Sequence, residues 1–385
     1  MSPNEELPKA QSGIDLEINK SPVEFSFWPT VEVNEIKELQ FEIFCKEPWS
    51  VIEGEIGKRC SDLSQTDAYA FLAQARDFYR AAARSSEIAN PLLFYYSFLN
   101  LVKALLITLG SDMLKKSIHH GLSKNNNTVS DDLEDAYLKV ILSNKGLTSI
   151  FNELLIKQFD YSLNEMPEKI SIAHLLPTVV AGHRIWKDTK GFEERFVPIY
   201  KNKFKHNKAK SIIWLNIYIL KQDISRFNIV PQRLLNESGI ASAFEEVKCK
   251  LNDKEFPNDK IICFEQRNKL KYSDDPLECI DSVIDDLCLR EKLWQVATSI
   301  PPYRKYYLYL RPEGDAELAQ LPALYALFFY FGSVTRYRPS EFDKMRSLGD
   351  YRAFISDFFA SQPEQFLNLF ASEFCQRKVV KPAIP

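Results

Sequence analysis

The chain has 385 residues, 45% of them hydrophobic and 13% aromatic, with 27 Phe and 17 Tyr; this excludes a disordered protein and allows a large packed interior. Lys and Arg number 49 against 52 Asp and Glu, so at a formal charge of −3 no global field draws the chain to nucleic acid or anionic lipid, and any such partner must meet a local patch. Seven cysteines, at positions 45, 60, 249, 263, 279, 288 and 375 with no Cys-x-x-Cys pair, exclude a disulfide-stapled scaffold and fit reduced thiols in a cytoplasmic protein.

Residues 1–22, MSPNEELPKAQSGIDLEINKSP, are polar and acidic, with neither the basic start nor the apolar stretch of a secretion signal, and read as a flexible tail. Residues 23–47 mix extended pieces with Trp28 and take no clear assignment. Helical signals begin at Ser64: hydroxyls of Ser64 and Thr66 precede Asp67, and Ala68, Leu72, Ala75, Phe78, Tyr79 and Ala82 recur at helical spacing to about Arg84. Asn90 followed by Pro91 opens a second helix, PLLFYYSFLNLVKALLITL, that stops at Gly110 and is apolar nearly all round, as a central helix is. The segments 91–109 and 321–334 look membrane-like, but the first carries Lys103 near its middle, at a cost of about 2.5–3.5 kcal/mol in a bilayer. The second is short of the ~20 apolar residues of a span. Both are expected as core helices, with no membrane partner.

The stretch LSKNNNTVSDD reads as a polar loop, and 133–142 and 149–158 as short helices. Pro177, Gly182 and Gly191 punctuate a change of character. Residues 196–205 and 211–220 are β-prone, with the link HNKA suggesting a hairpin, and IICFE at 261–265 and KYYLYLR at 305–311 are candidate strands of the same sheet. Helical signals resume at Ala316, through LPALYALFFYFGSVTRY, 352–360 and 363–374. The predicted fold is therefore α+β, mainly α: a helical core built from N- and C-terminal segments, with a small antiparallel β insertion. Its expected parts are the tail at 1–22, a mainly helical part at 23–191, a mixed β insertion at 192–312, and C-terminal helices at 313–385 packing on the N-terminal ones.

Several residues invite a chemical reading. Tyr96, Asn100 and Lys103 fall at i, i+4 and i+7 on one face of an apolar helix, so Lys103 either meets an anionic ligand or sits in an internal ion pair or at the surface. His120, with His119 before it and Gly121 able to take a left-handed turn after it, is an acid, base or ligand candidate, against the structural account of capping the last carbonyls. Arg336, Tyr337, Arg338 and Pro339 end the late aromatic helix, where cations oppose the helix dipole. Gly332 lies one turn before Arg336 and leaves room for another backbone or a ligand. Lys201, Lys203, Lys205, Lys208 and Lys210 surround His206, and the first three project from one face of a strand, fit for phosphates or for a solvated sheet edge. His174, His183 and His206 are too scattered for a metal pattern, and no metal and no cofactor is expected. No Walker loop, G-x-G-x-x-G, H-E-x-x-H or G-x-S-x-G occurs.

NPLLFYYSFLNLVKALL followed by HHGL, then GLTSIFNELL, HLLPTV and LYALFFYFGSVTRYRPSEFD, resemble the YaaC-like proteins of bacteria in order along the chain. Tyr95, His120, Gly121, Arg336, Tyr337 and Pro339 look most like landmarks of that family. The resemblance implies a largely helical bacterial protein linked to mobile-element or antiviral defence functions, without supplying a catalytic mechanism. The helices over 66–109 are also distantly similar to the HEPN ribonuclease bundle, but no Arg stands one to two turns before any of the five histidines, so the catalytic pair of that bundle is missing.

Two functions follow as expectations. The first is an interaction or ligand-sensing protein in which Lys103, His120 and Arg336, with Tyr96, Asn100 and Tyr337, form a polar pocket for an anionic small molecule or nucleotide. The second is a nucleic-acid-acting effector of phage defence, using the lysines at 201–210 and a protein partner from a defence operon.

Overall fold

A computed structural model of the chain describes residues 7–124, 135–178, 187, 193–225, 228–251, 253–297, 305–311 and 318–382. The loop at 125–132 and the positions Gly182, His183 and Gly191 lie outside the described residues. Helix outweighs strand, and the strands fall in several small sheets, an α+β protein. The chain divides into two compact units: a helical unit of Cys45–Phe192 and Gly314–Cys375, and a β unit of Met1–Phe44, Glu193–Glu313 and Gln376–Pro385.

The helical unit begins with α1 (Trp49–Arg59), which buries Trp49, Ile52 and Ile56 on one face, and α2 (Asp62–Arg84), which starts after Ser61, earlier than its sequence signals. Ala68, Leu72, Ala75 and Ala82 form the buried stripe of α2. Next comes α3 (Asn90–Thr108), with Pro91 in its first turn and Gly110 beyond its end in the left-handed region at φ 71°. Ser149 caps α4 (Ile150–Phe159) by accepting from the Asn152 amide. The late helices are α5 (Gln320–Tyr337), α6 (Pro339–Ser347) and α7 (Gly349–Cys375). Pro339 thus opens a further helix, and 352–360 and 363–374 are one continuous helix with Pro363 inside it.

The early and late apolar helices share one interior. Phe98 of α3 lies 4.5 Å from Phe328 of α5 and 4.2 Å from Phe366 of α7, ring centre to ring centre. Tilted and edge-on ring pairs of this kind add about 0.5–1.5 kcal/mol each to the area they bury. The α3 helix is long and apolar enough to cross a membrane, yet 78% of that window is buried inside the protein.

Before and after α4 the chain makes short strands. Ser117–His119 runs parallel to Leu147–Ser149, while Leu122–Lys124 and Lys169–Ser171 flank Tyr137–Val140 antiparallel. The helical reading of 133–142 is corrected here: Tyr137–Val140 is a strand whose side chains alternate in burial.

In the β unit, β1 (Ile14–Asp15), β2 (Lys201–Asn207), β3 (Ile212–Leu220), β4 (Phe244–Val247) and β5 (Ile261–Gln266) form an antiparallel sheet in the order β1-β2-β3-β5-β4. The β2–β3 hairpin matches the sequence reading, turning through residues 208–210 with Ser211 left-handed at φ 51°. Phe196–Pro198 leaves that sheet and pairs with Tyr306–Tyr309 in a separate one, so 305–311 does not extend the main sheet. Residues 14–22, read from sequence as tail, hold three short strands, with Ile14 opposite His206 and Asp15 opposite Lys205. Asp15 pairs with the hairpin lysines there, a long-range interaction that a polar, acidic composition does not reveal.

Candidate functional site

The site lies within the helical unit, between α3, α5 and the turn at His120. Gly121 adopts φ 86°, and a Cβ there would come within 2.8 Å of the Phe151 Cβ and meet the Ser149 hydroxyl, so only glycine lets the turn press against the start of α4. The Gly121 carbonyl accepts from the Ile141 amide at 2.9 Å, which fixes the turn further. These restraints aim the half-buried His120 ring at α3, where its Nδ1 is hydrogen-bonded to the Tyr95 hydroxyl.

Tyr95 can sit so close to α5 because residue 332 is glycine. A Cβ at Gly332 would lie 2.7 Å from the Tyr95 Cβ and 3.1 Å from its Cγ. The missing side chain that the sequence marks as room for a ligand is thus filled by the Tyr95 ring. Phe329 packs edge-on to Tyr95 at 5.4 Å and lies 6.0 Å from His120, so one ring of α5 backs both partners of the shared bond.

Burial pushes the Tyr95 phenol well above its ordinary pKa, helped by the Tyr325 hydroxyl beside it, so Tyr95 keeps its proton. The protonated phenol and the imidazole Nδ1 therefore share one hydrogen bond between α3 and the turn. The His120 imidazole is pushed below its usual range by burial, and further by the positive charges of Lys103, Arg336 and His119. Neutral imidazole in a field of cations is the electrostatic signature of this site.

A cleft of about 340 Å³ opens over this pair, lined by Tyr95, Tyr96, His120, Lys124, Phe329 and Arg336 among others, including Tyr337 and Arg338. Arg336 Nη1 donates to the Tyr96 hydroxyl at 2.6 Å, and its guanidinium lies 4.9 Å over the Tyr337 ring. Both Arg336 and Tyr337 are exposed, so the arginine stands at the rim of the cleft.

The structure therefore brings together Tyr96, His120, Arg336 and Tyr337. Asn100 and Lys103 stay outside the lining because their face of α3 turns to α2. Asn100 is buried and donates to Gln74 at 3.4 Å, and Lys103 lies 5.1 Å over the Phe71 ring, its ammonium pKa lowered by burial. Lys103 still acts on His120 through its charge. Lys124 was missed because it sits in the polar stretch read as loop, although a lysine two residues after the HHGL turn offered a signal.

The hairpin lysines are distributed differently. Lys201 pairs with Asp253, while Lys203 at 3.4 Å and Lys205 pair with Asp15. Lys205 is itself 9% exposed, and Lys208 and Lys210 are exposed at the turn. Three of the five charges are thus met by carboxylates within the β unit. Among the described residues no cluster of three or more His, Cys, Asp or Glu side chains is placed to hold a metal ion.

These features define an α+β protein whose helical unit carries an aromatic, cation-rimmed cleft over a Tyr–His pair. The chain matches the family model described as YaaC-like Protein over residues 37–374, and it belongs to that family. No curated protein and no solved structure matches it, and the likeness of its helices to the HEPN bundle finds no support in these comparisons.

Proposed function

We propose that this YaaC-like protein is a ligand-sensing or interaction protein that binds a small anion or nucleotide in the cleft between α3 and α5. The observation that supports this best is the convergence of Lys124, Arg336 and Arg338 on a cleft walled by aromatic rings, over a histidine whose protonation the neighbouring cations oppose. Planar donors on arginine suit carboxylate and phosphate oxygens, and rings beside them suit a base. A bound anion would offset the positive field and let His120 take up a proton, coupling occupancy to the turn at Gly121.

Thermal-shift measurement with phosphate and nucleotides, comparing wild type with Arg336→Ala, tests the reading. Stabilisation of the wild type that is lost in the variant is expected; equal shifts for both proteins would remove the cleft as the site. Nucleic-acid binding through the β-unit lysines is a second reading with less support, since Lys201, Lys203 and Lys205 already have carboxylate partners.

A further inference from the structure

Lys124, Arg336 and Arg338 line the cleft, and two of them are already held by one carboxylate. Glu341 accepts from Lys124 Nζ at 2.5 Å and from Arg338 Nη1 at 3.1 Å. Arg336, by contrast, bonds a neutral phenol, that of Tyr96. Glu341 stands in the first turn of α6, where unpaired amides and the helix dipole favour negative charge. Lys124 closes the strand Leu122–Lys124, so the Lys124–Glu341 pair ties strand to helix across two residues of which only 15% and 23% of the side chains are exposed. A pair this sheltered is less screened by water than an ordinary surface pair.

Building on the proposed anion site, we infer that Glu341 is an internal competitor that withholds Lys124 and Arg338, and that the cleft in consequence selects a phosphate monoester dianion over monoanions. A carboxylate or phosphodiester that displaces Glu341 exchanges one negative charge for another, gains no charge pairing, and still loses its freedom of motion. A phosphate monoester carries about −1.5 to −2 charge at neutral pH and three acceptor oxygens. It can engage Arg336 together with the two cations released from Glu341. The carboxylate then acts as a filter that only a doubly charged group outbids.

Calorimetric titration of the full chain with methyl phosphate, dimethyl phosphate and acetate tests this, using wild type, Glu341→Gln and Arg336→Ala. The wild type is expected to prefer methyl phosphate, and Glu341→Gln to bind it roughly fivefold to tenfold more tightly while narrowing the margin over acetate. Glu341→Asp, too short to hold both cations, is expected to fall between the two and guards against a misfolded glutamine variant. Unchanged affinity in both Glu341 variants, or wild-type binding of acetate as tight as that of methyl phosphate, would overturn the filter while leaving the anion site standing. The anion site itself falls, and the filter with it, if Arg336→Ala binds as well as wild type or if no form binds any of the three.

Discussion

Replacing Gly332 by alanine probes the contact on which the site is built. In a helix interior this change ordinarily stabilises by about 0.5–1 kcal/mol, because glycine loses more backbone freedom on folding. Here the added Cβ would lie 2.7 Å from the Tyr95 Cβ, 3.1 Å from Cγ and 3.2 Å from Cδ1. The nearest of these atoms is anchored to the α3 backbone and cannot swing away, so α3 and α5 must separate or Tyr95 must leave its rotamer. Overpacking of this kind costs about 1–3 kcal/mol, which leaves a net loss of up to about 2.5 kcal/mol, centred near ~1 kcal/mol, after the propensity gain. For a body of this size a loss of about 1 kcal/mol lowers the melting temperature by roughly 2–4 °C. Gly54 in α1 is the matched control, since a Cβ there meets nothing within 4 Å and Gly54→Ala should stabilise. Urea and thermal unfolding of the two variants decide the matter. A Gly332→Ala protein as stable as Gly54→Ala would refute the close approach of Tyr95 to α5.

Further outcomes are expected from the same structure. Burial lowers the pKa of both His119 and His120 below the ordinary 6.5, so below that pH the unfolded chain binds more protons than the folded one. Their contribution to stability is full above about pH 6.5 and is lost as pH falls below it; urea midpoints at about pH 7.5 and about pH 5.5 should differ, and His120→Gln should reduce the difference. In the β unit, Lys378 is 4% exposed and shares Glu42 with Lys305, its own pKa brought down to about 8, chiefly by burial. Glu42→Gln removes the shared carboxylate and should cost about 3 kcal/mol by chemical denaturation, whereas a loss below about 0.5 kcal/mol would mean that the pair does not hold the unit. RNA or DNA binding through the β2–β3 hairpin should show a shallow salt dependence, with a log–log slope no steeper than about −2, because Lys208 and Lys210 are the exposed members of the hairpin set. A steep slope in gel-shift titrations would reinstate the strand lysines as phosphate ligands.

What the sequence disclosed follows the range of the interactions involved. The helix Asn90–Thr108 was legible because its signals are local: Pro91 in the first turn, an apolar run, and Gly110 beyond the end. The β2–β3 hairpin was legible for the same reason. By contrast, Tyr137–Val140 looks helical by composition and becomes a strand because Leu122–Lys124 and Lys169–Ser171 offer it partners on both sides. The alternation of Lys201, Lys203 and Lys205 was readable as one strand face, but Asp15 and Asp253, which hold those lysines, are distant in sequence. The candidate site divides in the same way. His120 and Arg336 stood out as polar groups at the ends of apolar segments, yet the Arg336–Tyr96 bond spans 240 residues and nothing local announces it. Periodicity grouped Tyr96, Asn100 and Lys103 on one face of α3 without telling which neighbour that face meets. All three touch α2, and only Tyr96 also lines the cleft.

The most direct test of the anion site is the pKa of the His120 ring, followed by NMR with and without phosphate in wild type and in Arg336→Ala. Burial, with the nearby cations Lys103 and Arg336 adding to it, predicts a value below the usual histidine range in the free protein, rising when phosphate binds, and a smaller depression with no such rise in the variant. An ordinary His120 pKa that phosphate leaves unchanged would contradict the electropositive cleft from which the proposed function is argued.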